Sequence, residues 1–517
     1  MQTVFLDGET MTTADAFAVA RGLATVEIAA DAIPKIEAAQ KVVEEIISSG
    51  ETVYGINTGF GALVNQKIDT EDLATLQLNL IRSHACGLGE PLDIQTARGM
   101  MLVRANTLAK GHSGTRIMVI QQLVDFLNYG ITPFIPRIGS LGASGDLAPL
   151  SHMALCLIGE GKCYDADGVL MPTKQALNAI GLIPIELGAK EGLSLINGTS
   201  LMVAWLIEAE RKLTSLLKLG DLILATSIEA RSCSIRPFDS RVHAARGHPG
   251  QALVGIRINM ALKDSEIMLT HEDCERVQDA YSFRCAPQVH GPVHEMLSRL
   301  RRVISVDLNA ATDNPLIFPD PTKTGSEMVI SQGNFHGQPI ALVADSMALA
   351  CHELASISER RIDQMLDANR SGLPPFLAKV SGLESGLMIV QYVAAASLAE
   401  LRLFANPASA YNVSTSANQE DHVSLGATAT WSLCKVVERL AEVLACELLV
   451  AAEALEYQQV KAGKWVSELV LLTRKISPPL SGDRSVSDEL MELTNCLSNG
   501  IWLNQLEAQL GQLPSLD

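Results

Sequence analysis

Residues 427–462 contain neither glycine nor proline. Without a helix breaker, that stretch has room for one helix of up to roughly 50 Å at about 1.5 Å per residue. A rod of that length cannot bury its apolar side chains alone and needs comparable rods beside it. The chain supplies them. From Met347 onward, Met347, Cys351, Leu354, Ile357, Ile362 and Met365 keep roughly to one face. Segments near 201–230, 255–270, 290–305 and 388–405 show similar periodicity, and breakers such as Gly372-Leu373-Pro374-Pro375 and Asn406-Pro407 mark several ends. Before about residue 200 the texture changes to short elements punctuated by Gly and Pro. The pattern predicts a mainly α protein with few strands. A long-helix bundle and oligomerisation domain would span 201–517, and a smaller α-rich N-terminal domain 1–200. No repeat of solenoid period is present. Long helices with apolar residues on more than one face bury the surplus against another element or subunit, so a homo-oligomer is expected.

Composition narrows the function. The 517 residues are 47% hydrophobic and carry a formal charge of −18, which argues against a nucleic-acid groove or a polybasic membrane patch. No uninterrupted apolar run reaches the length of a membrane span, and the start lacks a signal peptide's basic and apolar regions. Ten cysteines are scattered without a CxxC pair, the usage of a reducing cytosol, so a cytoplasmic location is expected. Eleven histidines show no HExxH spacing, no Walker loop occurs, and no metal site is expected.

The chemistry concentrates in Gly142-Ala143-Ser144-Gly145-Asp146-Leu147. An Ala-Ser-Gly triplet can cyclise on itself. The Gly145 nitrogen attacks the Ala143 carbonyl carbon with loss of water, and Ser144 loses its hydroxyl as a second water. The product is a 4-methylidene-imidazol-5-one, an electrophile that no unmodified side chain matches. Gly145 lacks a Cβ and so allows the close approach and unusual backbone angles. Leu147, Leu150, Ala154 and Leu157 follow at helical spacing, so a helix is expected from about Asp146. Its N-terminal dipole would stabilise negative charge forming on the ring. In isolation the same residues read as an ordinary Gly/Ser turn.

Other polar clusters sit where a helical core would not choose them. They are Thr52-Val53-Tyr54-Gly55-Ile56-Asn57-Thr58-Gly59-Phe60-Gly61, Ser83-His84, Leu195-Ile196-Asn197-Gly198-Thr199, and Gln278-Asp279-Ala280-Tyr281-Ser282-Phe283-Arg284-Cys285. Ser331-Gln332-Gly333-Asn334-Phe335-His336-Gly337 and Ser416-Ala417-Asn418-Gln419-Glu420-Asp421-His422 complete the set, and two of only seven tyrosines fall within these clusters. In order and spacing, from about residue 4 to about residue 510, they resemble the aromatic amino acid ammonia-lyase family, which uses this self-made electrophile. The resemblance implies a mostly helical homotetramer whose active sites each draw on three subunits. It also implies loss of ammonia from an L-amino acid to give a trans α,β-unsaturated acid, with no external cofactor.

On that resemblance, Ala143, Ser144 and Gly145 form the electrophile. Tyr54 is the general base for the Cβ proton, which requires a lowered phenol pKa. Arg284 offers a planar fork to the substrate carboxylate. Tyr281 holds the electrophile or shuttles a proton, Asn197 donates to the electrophile's carbonyl or to the substrate carboxylate, and Gln278, Phe335 and Gln419 line the pocket. Ser83-His84 is the pattern of the family's histidine-specific branch, where phenylalanine- and tyrosine-specific relatives carry Phe-Leu or His-Leu. An imidazole unpaired against an apolar residue would cost about 1–3 kcal/mol. Glu420 is also that branch's choice and can accept from an imidazole N–H. L-histidine is therefore the expected substrate, with trans-urocanate and ammonia as products. A tyrosine or phenylalanine ammonia-lyase, an aminomutase and a non-catalytic helical assembly are the rivals. Ala280, Phe283 and His290 depart from the family pattern, which has Pro, Leu and a less polar residue there. His271, Glu272, His294 and His352 read as solvated or structural.

Overall fold

Helix Gly426–Leu455 runs for 30 residues and stops short of the limit that residues 427–462 allow. The reason is tertiary. The Lys461 carbonyl accepts from the Glu266 and Ile267 amides, and the Gly463 amide donates 2.7 Å to Glu229 Oε1. Those bonds take the backbone out of helical register despite its propensity. The computed structural model describes residues 2–59, 68–270 and 277–516. Phe60, Gly61, His271 and Glu272 lie outside the described residues.

The fold is mainly α, with only short strands among the described residues. Helices Ser200–Ala230, Ala286–Asp307, Gln338–Leu366 and Met388–Phe404 match four of the periodic segments. The fifth, near 255–270, is two helices, Pro249–Ala261 and Glu266–Thr270, interrupted where Asp264 adopts φ +61°. In Gln338–Leu366, Met347, Cys351, Leu354, Ile362 and Met365 are buried as expected, while Ser358 is more deeply buried than Ile357. Averaged over an 18-residue window, Gln338–Leu366 and Met388–Ala410 are long and apolar enough to cross a membrane. Mean hydropathy tolerates the polar residues that interrupt an apolar run.

The chain forms two compact units. The first comprises residues 1–208, 302–344 and 408–431, and the second 209–301, 345–407 and 432–517. The first unit thus adds two later segments to the N-terminal region. Helix Ile94–Ala109 is its central rod, buried from Thr96 to Ala109. Asp93 caps this helix by accepting from the Thr96 amide at 2.8 Å. Parallel strands Gln2–Leu6 and Ala24–Ile28 pair Gln2 with Ala24 through to Leu6 with Ile28. Segment 302–344 is held by apolar packing, because Ile317 and Met328 share a core cluster with Val43, Ile46, Val53 and Ile56.

The second unit is built from long helices. Leu222, Ile223, Leu224, Ile228, Leu440, Val443, Leu444 and Leu448 are fully buried. Two glycines let helices Pro249–Ala261 and Ala286–Asp307 approach closely. A Cβ on Gly291 would stand 2.7 Å from Gly250 C and 2.8 Å from Gln251 Cα. Gly291→Ala is therefore expected to destabilise this crossing by about 1–3 kcal/mol. A lowered thermal midpoint in calorimetry would show it, and an unchanged midpoint would mean that the backbone yields freely.

Candidate active site

The Ala143-Ser144-Gly145 loop joins strand Pro136–Ile138 to helix Leu147–Leu157, all within the first unit. Gly142 and Gly145 have φ of +65° and +75°, a region open to glycine at little cost. At Gly145 there is also no room, since a Cβ would run into the backbone of Gly198. The two glycines form an isolated parallel bridge, and the Asp146 amide donates 2.7 Å to the Gly198 carbonyl.

Asp146 was expected at the start of the following helix and is its N-cap residue, but its side chain does not cap that helix. The carboxylate instead accepts from the Leu201 and Met202 amides at 2.8 and 3.2 Å, the first turn of helix Ser200–Ala230. Its other oxygen accepts from Ser140 Oγ at 2.9 Å. Burial pushes the group up to about 6, against those hydrogen bonds and the nearby Arg104 charge. Fully buried Arg104 in turn donates to the Asn197 carbonyl. Burial pulls its guanidinium down to about 10, with Asp313 and Asp146 opposing.

Asn197 Nδ2 donates 2.8 Å to the Ser144 carbonyl. The Ser144 hydroxyl donates 2.5 Å to Glu420 Oε1, and Thr415 Oγ1 donates 2.9 Å to Glu420 Oε2. Backbone bonds between Thr415 and Glu420 close the loop that presents this carboxylate. Within it, Ser416, Ala417 and Asn418 have φ of +50°, +54° and +69°. Such residues cost roughly 1–3 kcal/mol each and persist only where their surroundings hold them. Here the Ser424 hydroxyl donates 2.8 Å to the Gly142 carbonyl, which also accepts from the Gly337 amide at 2.9 Å. Segments 408–431 and 302–344 are thereby tied to the 142–145 loop.

A cavity of about 450 Å³ opens on this loop, lined by residues that include Tyr54, Ala143, Ser144, Phe335, Gln419 and Glu420. Tyr54 sits in a turn shaped by Asn57, whose Oδ1 accepts from the Val53 amide at 2.8 Å and whose Nδ2 donates to the Glu51 carbonyl at 2.7 Å. Asn314, Gln332, His336 and His422 also line the cavity. Gln332, His336 and His422 lie in the polar clusters of the sequence without any motif that marks a role, and Asn314 lies outside those clusters. The His336 and His422 rings stack at 5.7 Å. Asn314 carried no local signal, and its Oδ1 accepts from the Gln332 amide at 2.8 Å.

Ser83 and His84 end helix Leu73–His84 and do not line that cavity. Ser83 Oγ is 3.0 Å from His84 Nδ1. Burial lowers the His84 pKa, while the charge of Glu420 opposes the shift. Gln278, Tyr281 and Arg284 belong to the second unit. Tyr281 opens the short helix Tyr281–Arg284, and the Arg284 guanidinium lies 4.5 Å over its ring.

Known proteins resemble this chain in sequence and fold. The family described as aromatic amino acid lyase matches residues 11–475. Histidine ammonia-lyase of Myxococcus xanthus is 44% identical over 96% of this chain and 97% of its own length. The crystal structure of histidine ammonia-lyase from Trypanosoma cruzi aligns with a TM-score of 0.89 at 38% identity, covering 100% of this chain and 98% of that one. Tyrosine aminomutase from Streptomyces globisporus aligns with a TM-score of 0.91 at 35% identity, covering 99% and 100%. The chain belongs to the aromatic amino acid lyase family.

The folded value of Asp146 lies above its ordinary 3.8. The folded chain therefore binds more protons than the unfolded one between about pH 4 and 6, and this group's contribution to stability falls as pH rises through that window. Asp146→Asn does not titrate there. The stability advantage of wild type over Asp146→Asn should accordingly narrow from pH 4.5 to pH 7 in chemical denaturation. A gap that widens would contradict the sign.

Proposed function

We propose that this chain is a cytoplasmic histidine ammonia-lyase that converts L-histidine to trans-urocanate and ammonia. The observation that carries the reading is the Ser144 hydroxyl on the Glu420 carboxylate at 2.5 Å, with His84 within electrostatic reach of that carboxylate. The nine described cysteines are all free, which supports a reducing compartment.

The residues of the 142–146 loop fit self-cyclisation. Gly145 is held where no side chain fits, its φ is positive, and Asn197 already donates to the Ser144 carbonyl. A 4-methylidene-imidazol-5-one formed from Ala143, Ser144 and Gly145 would supply the electrophile that makes the substrate's amine a better leaving group or its Cβ proton more acidic. Asn197 would donate to the oxygen on which charge develops. Tyr54 takes the Cβ proton from the cavity wall. Arg284 binds the carboxylate through its fork, Tyr281 holds the electrophile or shuttles a proton, and Gln278 lines the pocket. Glu420 and His84 receive the two imidazole nitrogens, His84 oriented by Ser83, while Phe335 and Gln419 close the pocket. In a homotetramer with shared sites, groups from different subunits would meet around one substrate.

The test is a product scan on L-histidine, L-phenylalanine and L-tyrosine with ammonia assayed in each. Urocanate and ammonia from histidine alone are expected; cinnamate or coumarate would overturn the substrate assignment, and a β-amino acid product would favour an aminomutase. Ser144→Ala is expected to fold, to keep the mass of the two waters that wild type loses, and to lose nearly all turnover. Activity near wild type would refute the electrophile. His84→Leu should lower kcat/KM for histidine by about 5- to 160-fold, matching roughly 1–3 kcal/mol for an unpaired polar group, and admit carbocyclic substrates. Unchanged discrimination would remove His84 from recognition.

A further inference from the structure

The proposed reaction leaves His290 unused. It is almost fully buried in helix Ala286–Asp307, with both ring nitrogens engaged. Nδ1 lies 2.8 Å from Asp221 Oδ1, and Nε2 lies 3.3 Å from Arg361 Nη1. Asp221 Oδ2 accepts from Arg257 Nη1 at 2.8 Å and lies 2.9 Å from His294 Nε2. Arg361, also fully buried, sets Nε and Nη2 on Glu447 at 2.5 and 2.8 Å. Ser227 and Ser358 hydroxyls complete that carboxylate at 2.7 and 2.5 Å. One guanidinium nitrogen remains. Arg361 Nη1 donates 3.3 Å to the carbonyl of Ser282, inside the turn that carries Tyr281 and Arg284.

The donor inventory decides the state of the imidazole. Arginine only donates, so Nε2 of His290 must offer its lone pair and Nδ1 must carry the hydrogen to Asp221. A protonated ring would set N–H against N–H. Burial and the Arg361 charge keep His290 below its ordinary value, while Asp221 and Glu447 oppose them. Around the turn, Arg284 Nε, Ser282 Oγ and Gln288 Oε1 are buried without a hydrogen-bond partner. Side-chain support comes from the Asp279 carboxylate, which accepts from the Ser234 amide at 2.7 Å, and from Arg361.

We propose that His290 is a positioning residue. By bridging Asp221 and Arg361 it fixes the guanidinium that holds the Ser282 carbonyl, and so fixes the turn that presents Arg284 to the substrate carboxylate. The inference rests on reading Arg284 as the carboxylate clamp.

Steady-state kinetics on the full-length wild type, His290→Met and His290→Gln decide it. His290→Met should raise KM about tenfold, the scale of one buried hydrogen bond, with kcat within about threefold. The Gln amide can both donate and accept, so His290→Gln should recover most of the wild-type KM. A wild-type KM in His290→Met overturns the proposal. So does a loss confined to kcat, or a failure of Gln to rescue. If His290→Met does not fold, Arg361→Lys replaces it: this variant keeps a charge for Glu447 but lacks the fork, and must raise KM likewise. Arg284→Gln with an unmoved KM would remove the clamp and the proposal together. Should wild type consume phenylalanine or tyrosine instead of histidine, the substrate reading falls. The same comparison on that substrate then still decides the role of His290, because every candidate carries the carboxylate.

Discussion

The Asp146 carboxylate ties the Ser144 loop to the helix at Ser200. Three donors from two segments converge on one buried side chain: the amides of Leu201 and Met202 and the hydroxyl of Ser140. The first amides of a helix have no partner within it, and a carboxylate there satisfies them and complements the dipole. The same residue's amide bonds Gly198, so backbone and side chain pin the two segments together. Asn197, immediately before Gly198, then has little choice but to face Ser144.

That arrangement requires buried charge, which the first unit balances nearby. Arg104 is fully buried and bonds the Asn197 carbonyl. Lys190 and Asp313 form a fully buried pair at 2.6 Å, to which Ser194 Oγ adds a bond of 3.0 Å. Such pairs contribute little net stability, because desolvation offsets most of the attraction, yet losing one partner is costly. Their effect is geometric. Asp313 precedes Asn314 in the cavity wall, and Arg104 sits beneath the Asn197-Gly198 step. The second unit repeats the principle with Asp221, Arg257, Arg361 and Glu447 under the Tyr281 turn. The helices supply rigidity, and the buried charges place the loops.

Helix existence was legible because it depends on local spacing. Met347, Cys351 and Leu354 recur on one face and are buried there. Helix ends were less legible, since residues 456–462 contain no helix breaker, yet Lys461 and Gly463 bond Glu266 and Glu229 instead of continuing the helix. Of the residues singled out in the sequence, Ala143 and Ser144 line one cavity and Asn197 bonds the Ser144 carbonyl. Asn314 escaped because nothing local marks it. Asp146 stands at a helix start as its sequence suggests, but the amides its carboxylate binds lie 55 and 56 positions away.

The sequence by itself determined that this chain is helical, and it singled out residues 143–145 and the polar clusters as the candidate site. Periodicity and motif identity are properties of neighbouring residues, so they survive without coordinates. Tertiary structure decided which carboxylate meets the Ser144 hydroxyl, which helix Asp146 caps, and that segments 302–344 and 408–431 join the N-terminal region. Those outcomes depend on apolar packing and on satisfying buried polar groups between residues far apart in the chain, and no local pattern encodes that pairing.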